Sequence, residues 1–592
     1  MDDYAVIVNN SDIRSFSNFL ANASPGRPLR EISYLVDYWL FGLDPWGYHF
    51  QNIFWHALNC WLVYCVAIRL QLSVAVAWVS SLLFLVHPIH VEVVANSSHR
   101  KDSLALAFLL MALLAYMKVF EQTVSSRRLF WLANSCVLWI TAFFAKGNSL
   151  VFPVIVIAYE YLLIPQNNRL LVKSKRLVPF LCISSFVGLI VWYAYISTLP
   201  SFKMAIIGAF VKTENLADFS VEAYILMVLK SFAFMFSKLL FPVNLSMEYI
   251  YAVPKSFFDL WVLFAFAIMM ACFALACRWK NTSPHLFFLM ALGAILWVPT
   301  ANIFWHFSYF AADRYMYAPS VGLCILAALL SEQICSATRR CFVFGWIGIL
   351  SICTILTWYQ TDVWRNEMNL YSHMLKVSPR SLEAMVGLSN AYYAVKDYDT
   401  SARYAQQALE RDATDYRPYL IAGNINYVHN RLNESLELLL QSQKMNPLSP
   451  EVHNALGTVY DDLGRTDQAV QSFKTALKLR VDYYEAYTNL GVTYERAHNL
   501  VEAESSLKKA LAIKTTHAPA WFNLGIIRYK NNDTRGARQA FLEAVKCDPL
   551  HVDALTNLSI VCKEVGDDSC YDDAVRRLGT IVPGAVNKPL QR

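Results

Sequence analysis

Ten apolar runs, separated by short polar stretches, dominate residues 52–360 of this 592-residue chain. Most of these runs approach the roughly 20 residues that a helix needs to cross a bilayer. The pattern therefore predicts a helical membrane domain over 52–360 with about ten transmembrane helices. The predicted segments are 52–69, 71–87, 103–119, 129–146, 149–164, 177–198, 257–277, 285–304, 316–335 and 341–360.

An eleventh apolar run, Tyr224–Phe241, differs from the others because it contains Lys230 and Lys238. A lysine at the centre of a lipid-facing helix costs about 2.5–3.5 kcal/mol. We therefore predict a re-entrant or interfacial segment at 224–241. The densest basic clusters lie in alternate loops, and basic loops tend to stay in the cytosol. With ten crossings, residues 1–51 and the C-terminal part then lie together on the opposite, lumenal side.

The C-terminal third follows a different pattern, a repeat with a period of 34 residues. One small residue recurs at this spacing in each repeat, at Ser389, Gly423, Gly457, Gly491, Gly525 and Ser559. This period is typical of tetratricopeptide helix–turn–helix repeats, which stack into a solenoid with a protein-binding groove. We predict about six repeats over 382–585, a connecting helix at 361–381 and a tail at 586–592. Tyr460, Tyr494 and Trp521 are the predicted protein-binding residues of the solenoid.

Residues 1–51 form a polar lumenal segment that opens with two adjacent carboxylates, Asp2 and Asp3. Aromatic residues between Tyr34 and Tyr48 predict an amphipathic helix that lies in the membrane interface. A carboxylate at that surface is suited to act as a general base, although composition alone favours a solvated terminus.

Composition narrows the function classes further. The chain is 56% hydrophobic and 14% aromatic, and its net charge of +6 is not gathered in one block. This composition excludes an ordinary soluble protein and indicates no nucleic-acid partner. The 13 cysteines show no metal-binding spacing. For Cys547, Cys562 and Cys570 in the repeat region, a disulfide and free buried thiols both fit the pattern.

The stretch between the second and third apolar runs concentrates candidate chemistry. It reads LVHPIHVEVVANSSHRKD and carries His87, His90, Glu92, His99 and Arg100. One interpretation is a wet, charged connector between two membrane helices. The other is a functional site of proton carriers and phosphate-sized cations at the membrane surface. The His and Glu spacing also suits a metal ion, but no second motif completes such a site, so we expect none.

Four motifs in order, ahead of a repeat array, carry a resemblance to a known family. They are MDDYAVIVNNSDI at 1–13, GRPLREISY at 26–34, HPIHVEVVA with RKD at 87–102, and AADRYMYAPSVG at 311–322. The sequence resembles the transmembrane and tetratricopeptide-repeat-containing family of protein O-mannosyltransferases. The resemblance implies an all-α protein of the C-type glycosyltransferase fold, followed by the α-solenoid. It also implies a multi-pass protein of the endoplasmic reticulum membrane with its repeats in the lumen.

The resemblance implies an inverting transfer of mannose from dolichyl-phosphate mannose to Ser or Thr hydroxyls. Asp3, or its neighbour Asp2, is implied as the general base, and Glu92 as the second acid. Proteins such as cadherins, presented by the repeat groove, are the implied acceptors. No cofactor is implied. The residues implied to bind the donor phosphate are Arg100, Arg314, His87, His90 and Lys146. His99 is also able to bind it.

Two departures from the family bear on this interpretation. The family has a membrane segment before the Asp-Asp motif, whereas this sequence starts at the motif, so we expect an N-terminally truncated copy. Lys146 is followed by Gly147, where the family usually has an acid. Both departures favour the alternative hypothesis, a non-catalytic membrane adaptor whose repeats recruit a protein partner. A transporter is the weakest hypothesis, because the membrane half shows no internal repeat.

Overall fold

The structure is a computed structural model that describes residues 7, 10–14, 16, 19, 28–165, 221–254, 256–301, 310–335 and 339–581. These residues form helices and connecting segments without a β-strand, which confirms the predicted all-α class. The chain divides into two compact units, Met1–Ser381 and Leu382–Arg592.

The described part of the first unit contains thirteen α-helices. They are α1 (Pro28–Phe41), α2 (Pro45–Arg69), α3 (Val74–Val86), α4 (Val91–Ala95), α5 (Arg100–Val119), α6 (Ser125–Ala145), α7 (Phe152–Leu163), α8 (Val221–Leu240), α9 (Leu260–Thr282), α10 (Pro284–Trp297), α11 (Ser320–Ile334), α12 (Arg339–Val363) and α13 (Glu367–Val377). Local chemistry sets several helix starts. Asp44 accepts a hydrogen bond from the Trp46 N–H at the start of α2, and Ser73 accepts one from Val76 at the start of α3.

Helices occupy nine of the ten apolar segments predicted from the sequence, and the tenth, 177–198, lies outside the described residues. Five described helices are long and apolar enough to cross a membrane, and α3 with residues 88–95, bent by 52°, makes a sixth candidate. Three of the other predicted segments fold as shorter apolar helices. The apolar surface of α2 is interrupted by the buried side chains of Asn52, His56 and Asn59. The chain is thus a membrane protein, and its described residues contain fewer clear spans than their apolar runs predict.

Helix α8 is continuous over its 20 residues and is one of the five candidate spans. Its two lysines bind groups of the protein. Lys230 Nζ lies 3.0 Å from the Ala252 carbonyl and 3.1 Å from Asp259 Oδ2, and Lys238 Nζ lies 2.8 Å from the Val243 carbonyl. The prediction of a re-entrant segment assumed that these ammonium groups face lipid. Both cations have protein partners, and the re-entrant or interfacial segment at 224–241 stays a prediction.

Helix α1 is an inverted amphipathic helix, because its polar face points into the protein and its apolar face points outward. Its polar residues Glu31 and Asp37 point inward and are 4% and 0% exposed, whereas Trp39 and Leu40 on the outer face are 83% and 52% exposed. An exposed apolar face on a short helix is typical of helices that lie in a membrane interface. The helix is therefore amphipathic as predicted, and its position in the membrane interface stays a prediction.

The described part of the second unit, residues 382–581, consists of six helix pairs. They are α14 (Leu382–Ala394) with α15 (Tyr398–Arg411), α16 (Tyr416–Val428) with α17 (Leu432–Met445), α18 (Pro450–Asp462) with α19 (Thr466–Leu479), α20 (Tyr484–Arg496) with α21 (Leu500–Ile513), α22 (Ala518–Lys530) with α23 (Thr534–Cys547), and α24 (Val552–Val565) with α25 (Asp568–Ile581). The recurring small residue lets the two helices of a pair approach closely. A Cβ atom on Gly525 would lie 2.5 Å from the Phe541 ring, and one on Gly457 would lie 2.6 Å from the Phe473 ring.

The aromatic residues predicted to bind a partner protein lie between the solenoid helices. Tyr460 and Tyr494 pack against the buried side chains of Phe473 and Leu490. Trp521 packs against two neighbouring core clusters and donates its indole N–H to the Thr515 carbonyl at 2.7 Å. These contacts favour a packing role, and the protein-binding role of the three residues stays a prediction.

The cysteine question left open by the sequence has a definite answer in this unit. Cys562 and Cys570 form a disulfide that joins α24 to α25, and Cys547 is a free thiol.

Candidate functional site

The stretch from His87 to Asp102 folds as a series of short helical turns between α3 and α5. Pro88 starts a 3-10 turn whose Ile89 N–H donates to His87 Nδ1 at 3.3 Å. Helix α4 follows, and Asn96 then caps a second turn by accepting from the Ser98 N–H at 2.9 Å. The histidines and acids of this stretch are buried rather than solvated. The structure therefore does not support the wet-connector interpretation.

Glu92 and Arg314 form an ion pair at the centre of the site. Glu92 Oε2 accepts a hydrogen bond from the Arg314 backbone N–H at 2.8 Å, and Oε1 accepts one from Nη1 of the same arginine. Arg314 Nη1 also lies 3.3 Å from the Met247 carbonyl. Burial opposes the charge on Arg314, but Glu92 outweighs it and raises the pKa of the guanidinium above its usual value. The pair joins two motifs that the sequence placed far apart.

A second carboxyl group, Asp313, lies next to this pair and was not predicted as a site residue. It is 2% exposed, and its Oδ1 accepts a hydrogen bond from the Tyr249 hydroxyl at 2.6 Å. Burial, together with the neighbouring charge of Glu92, raises the pKa of Asp313 well above its usual value. The motif AADRYMYAPSVG contains Asp313, so the sequence carried a signal for it, whereas nothing in the sequence indicated Tyr249.

A small cavity of about 40 Å³ lies beside Arg314. Lys146, another of the predicted phosphate ligands, also lines this cavity. Lys146 donates a hydrogen bond to Asp102 Oδ1, and both residues line the cavity together with Arg314. Asp102 Oδ2 is buried and has no hydrogen-bond partner among the residues that the structure describes. Apolar side chains of α5 and α10 complete the wall, including Leu106, Leu109 and Leu296. Two cations and one carboxylate therefore meet at the end of an apolar, membrane-length helix.

Arg100 lies elsewhere, in the interior between α1, α2 and α5. The side chain is 0% exposed and forms an ion pair with Asp37. It also donates from Nε to Asn52 Oδ1 and from Nη2 to the Tyr48 carbonyl, both at 2.8 Å. The Tyr34 ring lies 4.8 Å from the guanidinium carbon. This geometry favours a role in holding α1 in place, and the assignment of Arg100 to the donor phosphate stays a prediction.

The three histidines of the stretch make internal contacts as well. His87 Nε2 lies 3.0 Å from the Leu239 carbonyl, and His90 Nδ1 lies 2.7 Å from the Phe84 carbonyl. His90 Nε2 lies 2.8 Å from Ser320 Oγ, and His99 Nδ1 lies 3.8 Å from Glu92 Oε1. Within the ranges that the structure describes, no three His, Cys, Asp or Glu side chains stand close enough to hold a metal ion.

The predicted general bases, Asp2 and Asp3, lie outside the described residues. Four residues after Asp3, the side chain of Ile7 is buried against Tyr34 and Tyr48. These two tyrosines also flank Arg100, and the Tyr34 hydroxyl donates to the Ser97 carbonyl at 2.7 Å.

Comparison with known proteins agrees with both halves of this description. A family model described as tetratricopeptide repeat matches residues 376–450 and 454–519. The chain is 24% identical over 78% of its length to Protein O-mannosyl-transferase TMTC3 of Homo sapiens, of which it covers 54%. It is 25% identical over 60% of its length to Protein O-mannosyl-transferase F38B6.6 of Caenorhabditis elegans, of which it covers 49%. For Protein O-mannosyl-transferase TMTC4 of Homo sapiens the identity is 26% over 64% of the chain and 59% of that protein.

The chain spans about half the length of the curated relatives it matches. The similarity confirms the resemblance that the motifs indicated, since the chain is similar to several protein O-mannosyl-transferases.

Proposed function

We propose that this protein transfers mannose from dolichyl-phosphate mannose to Ser or Thr hydroxyl groups of other proteins. The observation that carries the proposal is the cavity shared by Lys146 and Arg314, next to the buried Glu92. A lipid-linked sugar phosphate needs cations for its phosphate and apolar side chains for its lipid. The lining of the cavity contains both kinds of side chain, because Leu106, Leu109 and Leu296 lie beside the two cations.

In the proposed reaction the acceptor hydroxyl oxygen attacks the anomeric carbon of the mannosyl group, and the configuration inverts. The hydroxyl proton passes to Asp3, with Asp2 as its alternative. The bond between the anomeric carbon and the phosphate oxygen breaks, and dolichyl phosphate leaves with the bonding electrons. Arg314 and Lys146 stabilise the negative charge on the leaving group. Glu92 holds the Arg314 guanidinium in place.

The proposed compartment is the endoplasmic reticulum, with the repeats in the lumen. The Cys562–Cys570 disulfide supports this location, because disulfides persist in oxidising compartments. Asn532, which begins one glycosylation tripeptide, is exposed and so available for a glycan, whereas the tripeptide that begins at Asn433 has its Ser435 buried. Asn557, by contrast, donates to the Asp553 carbonyl within a helix at 3.0 Å. An endoglycosidase-sensitive mass shift that disappears in Asn532→Gln would support lumenal repeats.

The repeats supply the proposed route to the acceptor. A stacked array of six helix pairs offers an extended groove that suits a protein partner. Cadherin domains are the acceptors that the family resemblance implies, and a cadherin domain is therefore the first acceptor to test.

The experiment uses microsomes that contain the full chain but lack endogenous protein mannosyltransferases. Dolichyl-phosphate mannose and a cadherin domain are added, and mass spectrometry detects hexose on Ser or Thr. Transfer by the wild-type chain that is lost in Asp3→Ala, beside Asp2→Ala as the matched variant, would support the proposal and identify the base. Absence of hexose with a correctly inserted, protease-protected chain would overturn it in favour of the adaptor hypothesis.

A further inference from the structure

A short loop between α8 and α9, residues 244–251, contacts the candidate site on one side and the end of the first unit on the other. On the site side, the Met247 carbonyl lies 3.3 Å from Arg314 Nη1, and the Tyr249 hydroxyl donates to Asp313. The Tyr249 backbone N–H donates to the Ala311 carbonyl at 3.3 Å. This loop, called the relay loop below, therefore helps to hold the segment that carries Asp313 and Arg314.

The opposite side of the relay loop binds α12, α13 and the residues that follow α13. The Leu245 carbonyl accepts from His373 Nε2 at 2.9 Å and from Gln360 Nε2 at 3.3 Å. Ser378 Oγ donates to the Glu248 carbonyl at 3.3 Å and accepts from the Ile250 N–H at 3.2 Å.

One further contact of the relay loop with the residues after α13 joins two side chains. Ser381 Oγ donates a hydrogen bond of 2.7 Å to Glu248 Oε2. Ser381 is 0% exposed and Glu248 is 8% exposed. A charge-assisted hydrogen bond at a buried position is stronger than one between neutral groups. Apolar packing supports it, because Leu245 and Tyr249 lie in one cluster with Ile89 of the histidine-rich stretch, and Val377 of α13 packs on that cluster.

We infer that Ser381 and Glu248 are positioning residues for the transferase reaction, acting through the relay loop on Arg314. The inference rests on the proposed function. The repeats begin at Leu382, one residue after Ser381. The chain that continues into the repeats is thus hydrogen-bonded, through Ser381, to the relay loop. The relay loop in turn contacts Arg314, the arginine proposed to stabilise the leaving dolichyl phosphate. Release of this contact loosens Arg314 and slows the chemical step, whereas donor binding through Lys146 is retained.

The test compares Ser381→Ala with Ser381→Thr, which restores a hydroxyl, in the full chain. Ser401→Ala is the matched control, because Ser401 is also 0% exposed and donates to the Ser389 carbonyl at 2.7 Å. We expect Ser381→Ala to lower kcat at least fivefold with the donor KM within twofold of wild type. Hydrogen–deuterium exchange is expected to rise in residues 245–250 and 311–317. Ser381→Thr is expected to recover both, and Ser401→Ala to change neither.

Wild-type kcat and wild-type exchange at 311–317 in Ser381→Ala would overturn the inference. Ser378→Ala provides a second variant if Ser381→Ala does not fold, since it removes both contacts of that serine with the relay loop. A wild-type chain without transferase activity would refute the proposed function separately. The exchange measurement would still decide whether the end of the first unit is coupled to the Arg314 segment.

Discussion

The carboxylate of Glu92 accepts hydrogen bonds from both the backbone N–H and the guanidinium of Arg314, 222 residues further along the chain. Both side chains are largely withdrawn from solvent. Removing one partner of a buried ion pair leaves the other charge uncompensated and costs about 3–5 kcal/mol. We therefore expect Arg314→Met to lower the free energy of unfolding by this amount, measured by thermal unfolding in detergent.

The double variant Glu92→Gln with Arg314→Met tests the cause. It removes both charges, and the glutamine oxygen can still accept from the backbone N–H, so at least half of the lost stability should return. A double variant no more stable than Arg314→Met would contradict this explanation.

Substitutions of Lys146 and Asp102 are expected to change the donor affinity in opposite directions. Loss of a charge-assisted contact to phosphate costs about 1.5–3 kcal/mol, so we expect Lys146→Met to raise the donor KM about tenfold to a hundredfold. Asp102→Asn, which removes the carboxylate that neutralises Lys146, is expected to lower it. Initial-rate kinetics with dolichyl-phosphate mannose would measure both changes. Lys118→Met at the other end of α5, where the ammonium lies 4.3 Å from the Trp131 ring centre, should leave the KM unchanged.

The close approach at Gly525 predicts a cost for even one methyl group. Its Cβ would meet the Phe541 ring at 2.5 Å, and overpacking of this kind costs about 1–3 kcal/mol. Gly525→Ala is therefore expected to lower the melting temperature of the full chain. Gly345→Ala in α12 is the control, because nothing lies within 4 Å of its Cβ and alanine favours a helix. Equal melting of the two variants would show that the Gly–Phe contact does not limit the packing of the repeat.

Asp313 predicts how stability depends on pH. Its pKa is raised well above the usual 3.8, chiefly by burial and then by Glu92, although the Tyr249 hydroxyl and Lys238 oppose the shift. The folded chain therefore holds this proton to a higher pH than the unfolded chain. The stability contribution of Asp313 is full below pH 3.8 and is lost as pH rises toward the raised pKa. Asp313→Asn, which keeps an acceptor for Tyr249, should flatten this slope in melting curves recorded across pH 4–8, and an unchanged slope would contradict the assignment.

The regular parts of the fold could be predicted because their signals are local. A small residue every 34 positions specifies the helix pairs, since each must admit one ring or branched side chain, as Gly457 admits Phe473. Apolar runs likewise predicted where most described membrane helices lie. The number of residues in each run did not fix the number of crossings, because helices such as α10 and α11 are shorter than a bilayer requires.

The site could be predicted only in part, because its contacts join distant residues. Nothing near Arg100 in the sequence reveals that Asp37, 63 residues earlier, binds its guanidinium. The lysines of α8 read as unpaired charges for the same reason, since the Asp259 partner of Lys230 lies 29 residues later. Lys146 and Arg314 were predicted from charge and motif, and the structure places them around one cavity. Tyr249 gave no signal, because a tyrosine in a loop acquires its role only when Asp313 is brought beside it.

If the inverted amphipathic helix α1 lies in the membrane interface as predicted, the lipid bilayer is a structural part of the protein. Its outer face carries the exposed apolar side chains of Trp39 and Leu40, while its inner face places Asp37 beside Arg100. Stripping away the lipid would set the hydration of the outer face against the ion pair on the inner face. The surroundings of Arg100 therefore depend on what covers α1. Measurements of this protein should be compared between nanodiscs and detergent micelles, because the choice of amphiphile replaces one wall of the molecule.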